Sequence, residues 1–346
     1  PMYESYKISE KINIVPCLMS QIQFKKYTEV WASEKSLDML QIMRGQSMYN
    51  EDQIYHYHTR TRQTCNMVFE NDDFRLKKKS EDTIAELDKE KQDVYESLLQ
   101  EKTLHITKDL SIYSPKFYQI LNTMNHFIKD GVPTGKILFY SAFRSDAGAE
   151  AFELVLKSNG YEKYDYKNKT KSKRKRYTFI TGSEGDEERN ANKEYFNQEE
   201  NTYGEYIQVM IISGAGAEGI SLTCVRQVHV CEPFWNFVRI DQVLGRAIRM
   251  KSHDFLPPKE RNVEQYLYIS LIPPGTNVKN AYETIQTLDT WKGVPDFQSN
   301  DITQELSRPD NKELSQKIND VIKNRESYQP FASSVLYEKA EEFFDI

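Results

Sequence analysis

The stretch YIQVMIISGAGAEGISLTCVRQVHVCEPFWNFVRIDQVLGRAIRM, residues 206–250, holds two apolar segments joined by a glycine-rich connection. Short apolar runs bounded by glycine or polar residues are typical of buried strands, so we predict strands over 206–213 and 226–232. Three arginines and a glutamine recur at helical spacing in 239–250, which predicts a helix there. The stretch therefore indicates a chain in which strands alternate with helices.

The same alternation extends to both sides of this stretch. We predict strands over 136–140, 176–181 and 264–272, and helices over 146–160 and 186–197. Strands alternating with helices form right-handed crossovers, which gives a parallel sheet with helices on both faces. Ligands of such sheets bind beyond the carboxyl ends of the strands.

The remainder of the chain is polar and is predicted to be mainly helical. Residues 1–28 form an extended lead-in, and Pro1 is expected to mark an internal cut in a longer protein. We predict a helical insertion over 29–112, with its clearest helix at 80–102. The α/β domain covers 113–275. A helical extension covers 276–346, with its firmest helix at 307–324.

Composition limits the class of protein. The chain has 346 residues, 38% of them hydrophobic, and a net charge of −6, which argues against nucleic-acid binding over the whole surface. It has neither a membrane-spanning apolar run nor a signal peptide, so we expect a cytoplasmic protein with no membrane partner. The four cysteines form no C-x-x-C pair, so we expect no disulfide and no metal site.

One segment is strongly basic, although the net charge of the whole chain is negative. Residues 167–176, KNKTKSKRKR, contain seven basic residues and no acidic one. Such a run is typical of a solvated loop, but it could also lie along a phosphate backbone. Both interpretations remain open from the sequence.

Two glycine motifs suggest nucleotide loops. GAGAEG, residues 214–219, matches G-x-G-x-x-G after a strand, and Glu232 follows at about the distance of a ribose-binding acid. The connection to the next strand is too short for the crossover helix of a dinucleotide fold, so a dinucleotide enzyme is only an alternative. GVPTGK, residues 131–136, lacks the spacing of a Walker loop and precedes a strand, which predicts a turn.

The helix over 239–250 carries the strongest chemical signal. Arg239, Gln242, Arg246 and Arg249 fall within roughly 80° of arc on a helix of 3.6 residues per turn. We expect this face to border the crevice at the carboxyl ends of the strands. Arginine suits multidentate contact with phosphate, so the face predicts a phosphate ligand.

Several motifs in this order resemble the second RecA-like lobe of superfamily 2 helicases and translocases. QVLGRAIR (242–249) is similar to motif VI, KILFYSAF (136–143) to motif IV, and SGAGAEGISLT (213–223) to motif V. TGSEGDEER (181–189) resembles the segment that follows motif IV. SPKF (114–117) and EPFWN (232–236) are similar to the nucleoside triphosphatases and early-transcription helicases of poxviruses and other large cytoplasmic DNA viruses, relatives of the Swi/Snf translocases.

The resemblance implies roles for particular residues. It implies a catalytic pair, Arg246 and Arg249. It implies an ATP-binding set of Gln242, Gly216, Glu218 and Gly219, and a set contacting the DNA or RNA backbone: Ser141, Arg144, Gly182, Arg189, Ser213 and Thr223.

The resemblance also implies what lies outside the chain. No Walker A or Walker B motif is present, so ATP and Mg²⁺ are expected to be held mainly by an N-terminal RecA-like lobe outside this sequence. The resemblance implies that the full-length protein is an ATP hydrolase. This chain would complete the ATP site but would not hydrolyse ATP alone. Viral transcription or replication proteins are further candidate partners, in the host cytoplasm, viral factory or virion. A catalytically silent scaffold with the same fold is the rival hypothesis.

Overall fold

The structure is a computed structural model. It describes residues 12–43, 59–69, 109–168, 174–181, 184–214, 219–233, 237–249, 251–273, 312–324 and 327–328. The predicted helix at 80–102 lies outside these residues.

The described residues form α-helices and β-strands in alternation. The helices are α1 (Gln21–Met43), α2 (Thr59–Thr64), α3 (Leu110–Tyr113), α4 (Pro115–Met124), α5 (Ala149–Ser158), α6 (Asp186–Asn197), α7 (Phe237–Ala247) and α8 (Lys312–Lys323). The strands are β1 (Ile12–Leu18), β2 (Ile128–Lys129), β3 (Val132–Pro133), β4 (Lys136–Ser141), β5 (Glu162–Lys163), β6 (Arg176–Ile180), β7 (Val209–Ser213), β8 (Val225–Val230) and β9 (Glu264–Leu271).

Seven of these strands form one sheet in the order β1-β9-β8-β4-β7-β6-β5. The pairs from β5 to β9 are parallel, and β4 pairs with both β7 and β8. The strands therefore share a carboxyl edge, where β4 and β7 end at Ser141 and Ser213, and an amino edge, where Lys136 pairs with Val225. The predicted parallel sheet is confirmed.

Helices cover both faces of this sheet. On one face, the ring of Phe139 stacks on Phe152 of α5 at 3.9 Å and lies 6.3 Å from Phe117 of α4. On the other face, Lys136 donates a hydrogen bond to the carbonyl of Phe196 in α6, and α7 packs against β8. Residues 136 and 139 face opposite sides because side chains alternate along a strand.

Most element bounds agree with the sequence to within a few residues. β7 begins at Val209 rather than 206, because Asn201 Oδ1 accepts hydrogen bonds from the N–H groups of Tyr206 and Ile207 at 2.7 and 3.0 Å. These bonds hold the chain in a turn before the strand. The helix predicted over 146–160 is α5, which ends before Gly160 at a φ of 77°.

The predicted turn in GVPTGK lies in a β-hairpin. Asp130 and Gly131, with φ of 52° and 77°, form the turn between β2 and β3. Positive φ at both central residues suits the twist of a two-stranded hairpin. Lys136, the last residue of the motif, is fully buried at the start of β4, so the motif is not a phosphate loop.

The described C-terminal end of the basic run, residues 174–176, lies near the amino edge. Arg176 begins β6 and pairs with Glu162 of β5, and the Arg174 guanidinium contacts the Glu162 carboxylate at 2.6 Å. Lys175 Nζ donates to the carbonyl of Asn159 at 2.6 Å. This end of the run therefore lies opposite the carboxyl edge.

The chain divides into two compact units. The first contains 117–269 and holds most of the sheet, and the second contains 16–70, 111–116 and 270–346. Within the second unit, Glu34 accepts hydrogen bonds from the first N–H groups of α2, and Lys116 donates to Asn66 Oδ1 at 2.9 Å. Of the described residues in the predicted insertion, 29–43, 59–69 and 111–112 therefore belong to this unit.

Within the described ranges, no helix combines the length and apolar character that a membrane crossing requires.

Candidate functional site

The carboxyl edge brings together residues from three neighbouring strands. Ser141 ends β4, Ser213 ends β7, and Arg189 lies in the first turns of α6, which follows β6. Arg144 follows β4 in an exposed loop. Because β4, β7 and β6 are adjacent, four of the six residues predicted to contact nucleic acid share this edge. Gly182, which precedes α6, lies outside the described residues.

Ser141 is buried at this edge and is engaged by an acidic residue. Its hydroxyl donates to Glu232 Oε1 at 2.6 Å, and the N–H of Ala142 donates to Glu232 Oε2 at 2.8 Å. Glu232 is itself 4% exposed. Both carboxylate oxygens of the acid that suggested ribose binding therefore hold the end of β4, which argues against a dinucleotide site.

The end of β7 is held by backbone contacts and by an arginine. Ser213 is buried, and its hydroxyl donates to the carbonyl of Thr181 at 3.1 Å. The guanidinium of Arg239 in α7 lies over Gly214, where a β-carbon would overlap it. Glycine is therefore required at 214 for this close approach.

The side chains of Arg144 and Arg189 are the accessible cations among the predicted contacts. Arg144 Nε lies 3.3 Å from Glu150 Oε1, and its side chain is 51% exposed. Arg189 is half-buried, on a helix with three acidic residues in its first turn. An anionic backbone at this edge would meet these two guanidinium groups.

The other end of α7 reaches the opposite edge of the sheet. The helix ends at Ala247, and the carbonyl of Arg246 accepts a hydrogen bond from the N–H of Leu222 at 3.0 Å. Residues 221–224 lead into β8 at the amino edge. Arg246 and Arg249 therefore lie near the amino edge, not at the carboxyl-edge crevice where we expected them, because α7 runs antiparallel to the strands.

Arg249 lies beyond the helix and folds back towards it. Its Nε donates to the carbonyl of Gly245 at 3.2 Å, and its Nη1 donates to the hydroxyl of Ser221. The N–H of Arg249 donates to Ser252 Oγ at 3.3 Å, which turns the chain away from helical geometry. These contacts fix an exposed guanidinium.

The residues at this end of α7 fit an anionic group. Arg246 is half-buried, and its Nε has no hydrogen-bond partner in the described part of the chain. Gln242 is exposed on the same helix. Two guanidinium groups with donor capacity to spare suit the phosphates of a nucleotide.

The remaining predicted nucleotide contacts are only partly described. Gly219 is exposed with a φ of 73°, and a β-carbon there would meet nothing within 4 Å. Gly216 and Glu218 lie outside the described residues. In the ranges that the structure describes, no group of three or more His, Cys, Asp or Glu residues could hold a metal ion.

Thr223 lies at the amino edge, away from the other predicted nucleic-acid contacts. Its hydroxyl donates to the carbonyl of Asn197 at 3.1 Å, and its N–H donates to Asn197 Oδ1 at 2.9 Å. Lys136 Nζ approaches Thr223 Oγ1 at 3.5 Å. Burial lowers the pKa of Lys136 to about 8.

Three further polar residues contact the predicted site residues, and the sequence did not single them out: Asn197, Ser221 and Lys136. Asn197 lies at the end of a helix, Ser221 in a loop and Lys136 at the start of a strand. A lysine opening the apolar strand KILFY was a usable signal, because a lysine is almost never fully buried unless it is paired. Asn197 and Ser221 carried no comparable signal.

Residues 119–251 match the family described as helicase conserved C-terminal domain. All of the predicted site residues fall within that range. Residues 305–346 match the family described as carbamoyltransferase C-terminus, and the structure describes only 312–324 and 327–328 of them.

Viral proteins are similar to this chain in sequence, and two of them cover different shares of it. A protein of Acanthamoeba polyphaga mimivirus, R563, whose name assigns it to the ATP-dependent RNA helicases, is 28% identical over 255 residues, which cover 74% of this chain and 39% of the relative. A termination factor NPH-I homolog of African swine fever virus (isolate Pig/Kenya/KEN-50/1950) is 40% identical over 119 residues, 34% of this chain and 17% of the relative. The chain thus spans less than half the length of each relative.

Solved structures are also similar over most of the chain. The C-terminal part of the Fun30 ATPase domain aligns with 90% of this chain and 97% of its own, with a TM-score of 0.47 and 16% identity.

Proposed function

On the premise that residues 119–251 are a helicase conserved C-terminal domain similar to those of viral helicases, we propose that the chain is the C-terminal half of an ATP-dependent superfamily 2 translocase. In this proposal the chain supplies arginines to an ATP site that an N-terminal lobe completes. It also supplies part of the track for a nucleic-acid backbone.

The observation that carries the proposal is the path of α7. Its first turns place Arg239 over Gly214 at the carboxyl edge, and the carbonyl of Arg246 near its end accepts a hydrogen bond from Leu222 near the amino edge. Arg249, just beyond the helix, bonds to Ser221 of the same loop. One helix therefore contacts both ends of the loop that resembles motif V. Such a connection can transmit a displacement from one edge of the sheet to the other.

ATP is assigned to the end of α7 where Arg246 and Arg249 lie. ATP supplies the phosphoryl group whose transfer to water releases free energy. The two guanidinium groups would stabilise negative charge on the phosphates, as arginine fingers do. Gln242, Gly216, Glu218 and Gly219 are proposed as further nucleotide contacts. Mg²⁺ is assigned to the N-terminal lobe.

The nucleic-acid backbone is assigned to the carboxyl edge. Arg144 and Arg189 would pair with phosphates, which DNA and RNA share, and backbone groups near Ser141, Gly182 and Ser213 would donate hydrogen bonds. Thr223 belongs to the predicted set but lies at the other edge. We also propose action in the host cytoplasm, with viral transcription proteins as partners, because the similar proteins are viral.

The experiment compares ATP hydrolysis by this chain with hydrolysis by the full-length protein, with and without nucleic acid. We expect nucleic acid to stimulate ATP hydrolysis by the full-length protein. The chain by itself should show no turnover above background, with or without nucleic acid. Stimulated turnover by the purified chain would contradict the two-lobe site. Absence of hydrolysis in the full-length protein would favour the silent scaffold instead.

A further inference from the structure

The loop that carries Ser221 is fastened to the end of α6 by one side chain. Asn197 Nδ2 donates to the carbonyl of Ser221 at 2.8 Å, and its Oδ1 accepts from the N–H of Thr223 at 2.9 Å. The carbonyl of Asn197 also accepts from the Thr223 hydroxyl at 3.1 Å. A single asparagine thus satisfies backbone groups on both sides of Leu222.

The opposite side of the same loop holds the arginines. The Ser221 hydroxyl accepts a hydrogen bond from Arg249 Nη1, and the N–H of Leu222 donates to the carbonyl of Arg246 at 3.0 Å. The loop therefore lies between Asn197 and both arginines. A shift of the Ser221 backbone would move the hydroxyl that orients Arg249.

The end of α6 is itself anchored in the core. Lys136, fully buried in β4, donates to the carbonyl of Phe196 at 2.6 Å, and its ammonium lies 4.6 Å from the Phe196 ring centre. Phe196 is also fully buried. The residue next to Asn197 is therefore fixed, and Asn197 presents its amide to the loop from a rigid position.

The other end of α6 lies at the carboxyl edge. Arg189 is eight residues before Asn197, so the helix spans roughly 12 Å between them at 1.5 Å per residue. On the proposed function, Arg189 faces the nucleic-acid backbone. α6 therefore joins a nucleic-acid contact to the loop that holds the arginines, in parallel with α7.

We propose that Asn197 is a positioning residue for ATP hydrolysis, which holds Ser221 so that Arg249 is oriented towards the nucleotide. This inference rests on the proposed function. It makes α6 a second connection between the two edges of the sheet and assigns Thr223 to that connection.

The test measures nucleic-acid-stimulated ATP hydrolysis by the full-length protein carrying Asn197→Ala, alone and combined with Arg249→Ala. Asn197→Asp is a second variant, because it keeps the acceptor for Thr223 and removes the donor to Ser221. Asn190→Ala is the matched control, since Asn190 is exposed on the same helix. Thermal unfolding of each variant identifies loss of fold.

We expect Asn197→Ala and Asn197→Asp to lower kcat about tenfold or more, with the KM for ATP within roughly twofold, because misplacement of a group that acts in the transition state affects kcat. Asn190→Ala should behave as the wild type. In the Arg249→Ala background the Asn197 substitutions should have no further effect, since coupled residues are not additive.

Two results would overturn the inference in different ways. In the first, Arg249→Ala lowers hydrolysis while the Asn197 substitutions have no effect, or the same effect in the wild-type and Arg249→Ala backgrounds. In that case Asn197 does not act through Arg249, and the proposed function stands. If Arg249→Ala leaves hydrolysis unchanged, the proposed function fails and the inference fails with it.

Discussion

The guanidinium of Arg239 lies so close to the backbone of Gly214 that a β-carbon on Gly214 would overlap it. This contact joins the start of α7 to the end of β7. Because the overlapping atom is the far end of a flexible side chain, a larger residue at 214 would displace Arg239 and leave the sheet intact.

Gly214→Ala should therefore separate function from stability. We expect the melting temperature of the full-length protein to change little, and nucleic-acid-stimulated hydrolysis to fall roughly 10-fold to 100-fold, the range for small misplacements at active sites. Gly185→Ala is the matched control, because a β-carbon there meets nothing within 4 Å. If Gly214→Ala lowers hydrolysis further in an Arg239→Ala background, displacement of Arg239 is not the cause.

His229 should make the stability of the sheet sensitive to acid. Burial lowers its pKa to about 3, from an ordinary value near 6.5. Its Nδ1 lies 2.8 Å from the Tyr268 hydroxyl and its Nε2 lies 3.2 Å from Gln227 Oε1, so both ring nitrogens are used by a neutral imidazole.

The sign of the effect follows from proton binding. Below pH 6.5 the unfolded chain protonates this histidine and the folded chain does not, so stability is lost as the pH falls from 6.5 towards 3. The loss attributable to His229 at pH 4 is roughly 3 kcal/mol, at about 1.4 kcal/mol per pH unit.

Urea unfolding of His229→Gln at several pH values measures this loss. The variant should have a shallower dependence of stability on pH than the wild type between 4 and 6.5. His126→Gln, at an exposed histidine, should retain the wild-type dependence. Parallel curves for wild type and His229→Gln would show that this imidazole is not the acid-sensitive group.

The basic run should contribute little to nucleic-acid binding, because its described end at 174–176 leads into β6 at the amino edge. Changing Lys167, Lys169, Lys171 and Lys173 to Gln should leave the slope of log affinity against log salt unchanged for the full-length protein. Arg144→Gln or Arg189→Gln should each reduce that slope by about 0.7 on single strands. A slope shallower by roughly 3 in the quadruple variant would place the run on the nucleic-acid track.

Arg246→Ala should affect nucleotide affinity as well as hydrolysis. The carbonyl of Arg246 accepts a hydrogen bond from the N–H of Leu222, and alanine keeps this backbone bond. The substitution removes only the half-buried guanidinium. We expect slower hydrolysis in the full-length protein and weaker binding of a fluorescent ATP analogue. Unchanged affinity together with unchanged turnover would remove Arg246 from the nucleotide site.

Much of the fold could be predicted from local patterns. The bounds of α6 agree with the sequence, because polar and apolar spacing and short connections decide where such elements begin and end. The position of the arginines could not be predicted in the same way. α7 ends at Ala247 because Ser252 and Leu222 take the next backbone groups, and these contacts are not encoded by helical spacing.

The site shows the same division. The chemistry proposed for Arg246 and Arg249 could be predicted from residue type and motif, whereas the contacts of Asn197 and Lys136 with residues 223 and 196 are tertiary and could not. The buried Ser141 illustrates the converse. The motif that contains Ser141 was recognisable in the sequence. Only the structure shows that the Ser141 hydroxyl donates a hydrogen bond to Glu232.

The substitution Arg249→Ala in the full-length protein tests whether this chain supplies an arginine to an ATP site. ATP affinity and nucleic-acid-stimulated hydrolysis are measured on the same preparation, with Lys259→Ala as a control at an exposed basic residue outside the site. We expect ATP affinity within a few-fold of wild type and hydrolysis lowered about 10³-fold or more. Hydrolysis at the wild-type rate by a folded Arg249→Ala protein would contradict this expectation.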